Sequence, residues 1–234
     1  MSAQPWFSEW NYRVLRWLFE VVRHGARRDT FFQFLTMNHL VSNWIFAAAF
    51  YLFWRKEDER KEFRRTQLFR IVVAFAIAVI ITLLVRPWIT WPAPGLSPRF
   101  QALYPNYFWG TGSYDSFPSH STLTDFVIAA GLWQLSRPVS IGLAVCVLGV
   151  ISLPRVFVGG HYPIDVVASL VLIIVVLVLI GRWQPPENWR RWLAEDQPAH
   201  LSREFVLLLW LFEVGEDFRG LSSIVFHLRK LAGV

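Results

Sequence analysis

Apolar residues cluster into five runs, at 38–54, 67–86, 120–135, 139–155 and 164–181, each long enough or nearly so to cross about 30 Å of hydrocarbon. The third run contains Asp125 and the fourth Pro154, and both are short. Between the first two lies RKEDERKEFRR, in which Arg55, Lys56, Arg60, Lys61, Arg64 and Arg65 give a cytoplasmic-loop signal under the positive-inside rule. Counting crossings from that loop, the second run ends outside, the third begins there, and the fourth ends there. The fifth begins outside and finishes at Arg182 in the cytoplasm. The pattern predicts an all-α, polytopic membrane helix bundle with five clear spans, or six, and flanking interfacial helices. Its parts are an amphipathic segment at 1–37, a membrane-embedded core at 38–182 and a cytoplasmic tail at 183–234.

The flanks have a different periodicity. Over residues 9–22, Trp10, Val14, Trp17, Leu18 and Val21 share one helical stripe, while Arg13, Arg16 and Glu20 lie elsewhere. That suits a helix lying in the membrane interface, and it suits packing against protein equally well. Parity puts this segment outside, where Arg13, Arg16, Arg23, Arg27 and Arg28 run against the positive-inside rule. A sixth or re-entrant crossing near 10–34 would move the N-terminus inside. The first 20 residues lack the pattern of a signal peptide, so the N-terminus is expected to stay on the mature protein. The tail offers amphipathic stretches at 203–214 and 221–231, suited to a membrane surface or to self-association.

Composition agrees with the pattern: 54% of the residues are hydrophobic and 17% charged, against about 25% charged in an ordinary soluble domain. The net charge of +6 fits anionic headgroups and topology signals. No nucleic-acid motif is present. The one cysteine, Cys146, lies inside an apolar run and can form no intramolecular disulfide.

Parity has a chemical consequence. Arg86 closes the second run, Ser119 and His120 open the third, Arg155 closes the fourth, and His161 and Asp165 open the fifth. Charged groups are costly at membrane depth and call for a function. Singly, an arginine at a helix C-terminus interacts with the dipole, and a serine before a helix is a cap. On one face together they describe an anion site. Pro163 suits a first helical turn, which puts His161 at the lip of the helix and Asp165 one turn in. Asp165 would orient one imidazole nitrogen, leaving the other as a nucleophile toward a phosphate drawn by the helix N-terminus. His120 would serve as general acid. Ser119, Arg86 and Arg155 would bind phosphate oxygens. Two histidines and an aspartate also suit a metal, but two neighbouring arginines argue against a dication, and the chemistry needs neither metal nor cofactor.

These residues resemble the type 2 phosphatidic acid phosphatase (PAP2) family, whose pattern is K-x6-R-P, P-S-G-H and S-R-x5-H-x3-D. The resemblance spans roughly 67–181 and is most specific from Arg155 to Asp165. It implies a bundle of about six membrane helices and a phosphohistidine on His161. It further implies Asp165 as orienter, His120 as acid, and Arg86, Ser119 and Arg155 as phosphate ligands. Three positions depart from the pattern: Val79 stands where the lysine would be, Pro118-Ser119-His120 lacks the glycine, and Pro154 replaces the serine. Arg99 is a candidate to replace the lost cation.

The expected function is a multi-pass phosphatase of the plasma (inner) membrane with its site on the outer, periplasmic face, acting on a lipid phosphate. The small size and lysine-free first motif resemble the bacterial undecaprenyl-pyrophosphate phosphatases. Alternatives are phosphatidic acid or phosphatidylglycerol phosphate as substrate, a lipid phosphotransferase, and an inactive lipid-binding relative. The outer loop at 88–117, with Trp88, Trp91, Tyr104, Tyr107 and Trp109, reads as an aromatic belt first and a headgroup lid second. His24, His39, His200 and His227 lack partner motifs.

Overall fold

A computed structural model describes residues 5–22, 26–38, 43–85, 88, 89, 91–103, 116–195 and 201–215. Ten helices and no strands occur among them, as the apolar patterning predicts. They are α1 (Pro5–Val22), α2 (Ala26–Met37), α3 (Trp44–Arg55), α4 (Lys61–Val85) and α5 (Pro98–Leu103). Next come α6 (His120–Gly131), α7 (Arg137–Phe157), α8 (Pro163–Arg182), α9 (Glu187–Ala194) and α10 (Leu201–Gly215).

Three of the five expected spans, α4, α7 and α8, are long and apolar enough to cross a membrane. Among the described residues, the runs at 38–54 and 120–135 contain the helices α3 and α6, each of 12 residues against the roughly 20 a crossing needs.

The core is a triangle of α4, α6 and α8, with α7 against α6. Between apolar helices in hydrocarbon, close packing rather than water exclusion supplies the attraction. Gly131 shows the closeness, because a Cβ there would sit 2.4 Å from Ile71 Cγ1. The helices alternate in direction. Arg70, early in α4, donates through Nη2 to the Trp183 carbonyl just beyond α8, at 2.5 Å. Arg65 donates to the Leu193 carbonyl at 3.0 Å and lies over the Trp54 ring. The starts of α6 and α8 and the end of α7 therefore gather at the opposite end, toward which α4 also runs.

The basic loop thus does more than mark a side. Arg64 donates to the carbonyls of Phe53 and Lys56 and to the Asp58 carboxylate, and it is buried with Arg65. That guanidinium holds the Asp58 carboxyl below the usual carboxylate range. Arg64 thereby satisfies carbonyls left over at the end of α3.

Much of the N-terminal stripe points away from the rest of the protein. Trp10, Trp17 and Val21 point outward, while Tyr12, Leu15 and Phe19, spaced three and four apart, form a second apolar face packed on Phe100, Val156 and Val166. Tyr12 stacks on Phe100 with centroids 4.2 Å apart. The packing surface of this helix is thus a second apolar face beside the stripe read from the sequence. At the other terminus, α10 packs against α3 through Leu207, Leu211 and Val214, and Trp210 meets Phe50 and Phe75. The stretch at 221–231 lies outside the described residues.

Candidate active site

The turn from α7 to α8 builds the center. Gly159 has φ of 73°, a left-handed conformation that glycine adopts without cost. At Gly160 a Cβ would lie 3.3 Å from the Arg155 carbonyl. That carbonyl accepts from Gly160 N–H at 2.9 Å and His161 N–H at 3.3 Å, so the backbone folds His161 directly over Arg155. Pro163 then starts α8 at a position where no N–H is needed.

Asp165 is fully buried, and its Oδ2 accepts from the Tyr162 N–H at 2.8 Å, closing the first turn of α8. The same oxygen lies 3.8 Å from His161 Nδ1. Oδ1 has no hydrogen-bond partner among the described residues. His161 Nδ1 instead makes its bond with the Ser116 carbonyl at 2.9 Å. A carbonyl only accepts, so Nδ1 carries the proton, and in the neutral ring the lone pair sits on Nε2. The expected direct bond from Asp165 to the imidazole is thus absent here. The carboxylate stands beside the ring, while Ser116 fixes its tautomer. Beside them, burial pushes the Tyr162 phenol up to about 12.

Ser119 ties α6 to α8. Its N–H donates to the Asp165 carbonyl at 3.3 Å, and its own carbonyl accepts from the Ser169 hydroxyl at 3.0 Å. Its hydroxyl bonds Thr122 Oγ1 at 2.9 Å, which bonds Ser152 Oγ at 2.9 Å. Its N–H and its hydroxyl both therefore have partners inside the bundle. His120 is the first residue of α6 and half-buried beside this anchor. Arg155 is buried, with Nη1 donating to the Ile151 carbonyl at 3.3 Å.

Arg155, His161, Asp165, Ser119 and His120 are thus gathered at one end, as parity predicts. Arg86 lies outside the described residues, one position past the end of α4, as do His24, His39, His200 and His227 and the loop residues Tyr104, Tyr107 and Trp109. Asp125 is fully buried in α6. Arg99 is committed elsewhere: it donates to Glu9 at 3.0 Å and lies 3.7 Å from the Tyr12 ring centroid, fastening α5 to α1. Among the described residues no group of three or more His, Cys, Asp or Glu is placed to hold a metal ion.

Sequence reasoning missed the Ser116 carbonyl, Thr122, Ser152 and Ser169. The hydroxyls had a signal, being small polar residues within apolar runs. A backbone acceptor has none.

A sequence model of the PAP2 superfamily matches residues 67–189. The chain is 26% identical over 174 residues to "Undecaprenyl-diphosphatase BcrC" of Bacillus subtilis (strain 168), covering 74% of this chain and 83% of that protein. No solved structure matches significantly.

Proposed function

Because the chain belongs to the PAP2 superfamily, we propose that it is an integral membrane lipid phosphatase that works through a phosphohistidine on His161. The observation that carries the reading is the Nδ1–H bond to the Ser116 carbonyl, which leaves Nε2 as the nucleophile. Nε2 attacks phosphorus in line, the bond from phosphorus to the leaving oxygen breaks, and His120 gives that oxygen a proton. The negative Asp165 favours the positive ring that results. Water then attacks the phosphohistidine with His120 as base, the N–P bond breaks, and phosphate leaves. Arg155 and Arg86 balance the charge on the equatorial oxygens. Ser119 joins them by exchanging its bond to Thr122 for a phosphate oxygen. No step uses a metal.

Undecaprenyl diphosphate is the leading substrate, supported by the name of the Bacillus relative and by the lysine-free first motif. Phosphatidic acid and phosphatidylglycerol phosphate follow. The basic loop lies at the end opposite His161, which supports an outward-facing site in the plasma membrane.

The test is phosphate release from a panel of lipid phosphates by protein purified in detergent with EDTA. Wild type should release phosphate and accumulate an acid-labile phosphoryl label, His161→Ala neither, and His120→Ala little. No release by wild type sinks the enzyme reading, and an active, labelled His161→Ala sinks the mechanism.

A further inference from the structure

Pro154, which departs from the family motif, has a structural consequence beside the site. It has no N–H to return to the carbonyl four residues earlier, and its ring crowds that turn. Just before it, Val147–Ser152 is π-helical rather than α-helical. Insertions of this kind widen and bend a helix and recur at functional sites. Here the widened turn borders an apolar groove of about 500 Å³, with Leu18 from α1, Val145, Leu148 and Gly149 from α7, and Pro163 and Val166 from α8 among its walls. Its volume is in the usual range of ligand sites, roughly 300–1,000 Å³.

We propose that this groove receives the hydrocarbon tail of the lipid whose phosphate meets His161, so that the π-helical turn sets chain-length preference. The inference rests on the phosphatase reading above and adds where the rest of the substrate lies. Continuity with the site carries it. Two groove residues are chain neighbours of site residues: Val156 follows Arg155, and Val166 follows Asp165. Ser152, also on its wall, ends the hydroxyl relay from Ser119. From Arg155 the wall reaches back ten residues to Val145, about 15 Å along the helix at 1.5 Å per residue. Val145 and Leu148 are exposed, so the groove opens sideways where hydrocarbon would enter. One group is polar and the remainder apolar, which suits a saturated or prenyl chain and offers a headgroup nothing.

Two substitutions fill the groove. At Gly149 a Cβ meets no atom within 4 Å, so Gly149→Trp projects into open space, and Val145→Trp narrows the rim. Gly142 is equally open but lies outside the groove, and Gly142→Trp is the control. The readout is kcat/KM for a long-chain polyprenyl diphosphate divided by that for a short-chain prenyl diphosphate, in detergent. The ratio should fall by about tenfold or more in both groove variants, the scale on which an apolar pocket discriminates, and hold in Gly142→Trp. An unchanged ratio in both groove variants, including parallel loss on both substrates, overturns the groove. So does an equal fall in Gly142→Trp. Wild-type release from neither substrate overturns the phosphatase reading itself, a result distinct from a constant ratio, and removes the tail with it.

Discussion

His161 Nδ1 lies 2.9 Å from the Ser116 carbonyl and 3.8 Å from Asp165 Oδ2, so a backbone acceptor rather than the carboxylate fixes which ring nitrogen is free. Where a carboxylate itself sets the tautomer, its amide replacement costs about 10⁴ in rate. Asp165→Asn should cost less here, roughly 10- to 100-fold in kcat, because only the charge beside the ring is lost and the tautomer survives. Single-turnover phosphate release checks this, and a loss as complete as that of His161→Ala refutes it.

Gly159→Ala should lower thermal stability as well as activity. A side chain at φ of 73° costs about 1–2 kcal/mol, and in a chain of this size each kcal/mol moves Tm by roughly 2–4 °C. A melting curve in detergent that does not move would contradict the strain.

Thr122 is the middle of the hydroxyl relay, so Thr122→Val strips a partner from both Ser119 and Ser152. Leaving buried hydroxyls unsatisfied should destabilise by about 1–3 kcal/mol. Ser152→Ala, at one end of the relay, should cost less. Equal melting shifts in the two variants would show that the relay is not shared.

The tie between α1 and α5 should loosen in acid. Hydrogen bonding from Arg99 holds the Glu9 carboxyl below its usual range, so the tie is fully present above the ordinary carboxylate value, about 4.3, and is lost as pH falls through the depressed one. Hydrogen exchange across Pro5–Val22 should quicken there, and Glu9→Gln should bring the same quickening at neutral pH. Exchange in Glu9→Gln identical to wild type would break the link.

The segment from Arg155 to Asp165 was the most legible part of the chain, because spacing, a proline at the first turn and paired glycines all act within one turn of backbone. Parity alone gathered Ser119 and His120 beside it. The outward turn of Trp10 and Trp17 was not legible, since α1 carries two apolar stripes and periodicity cannot say which one meets protein. Nor could the fate of Arg99 be read, because its partners Glu9 and Tyr12 lie about ninety residues away. Pro154 was visible as a departure, but the groove beside it depends on Leu18 and Val166 arriving from two other helices.

One oxygen of Asp165 both closes the first turn of α8 and faces His161. The two duties decay differently once turnover no longer matters. His161 would then drift freely, whereas Asp165 would still be retained for folding. In a lineage losing its activity the histidine should therefore disappear first, leaving the aspartate behind as the last trace of the reaction.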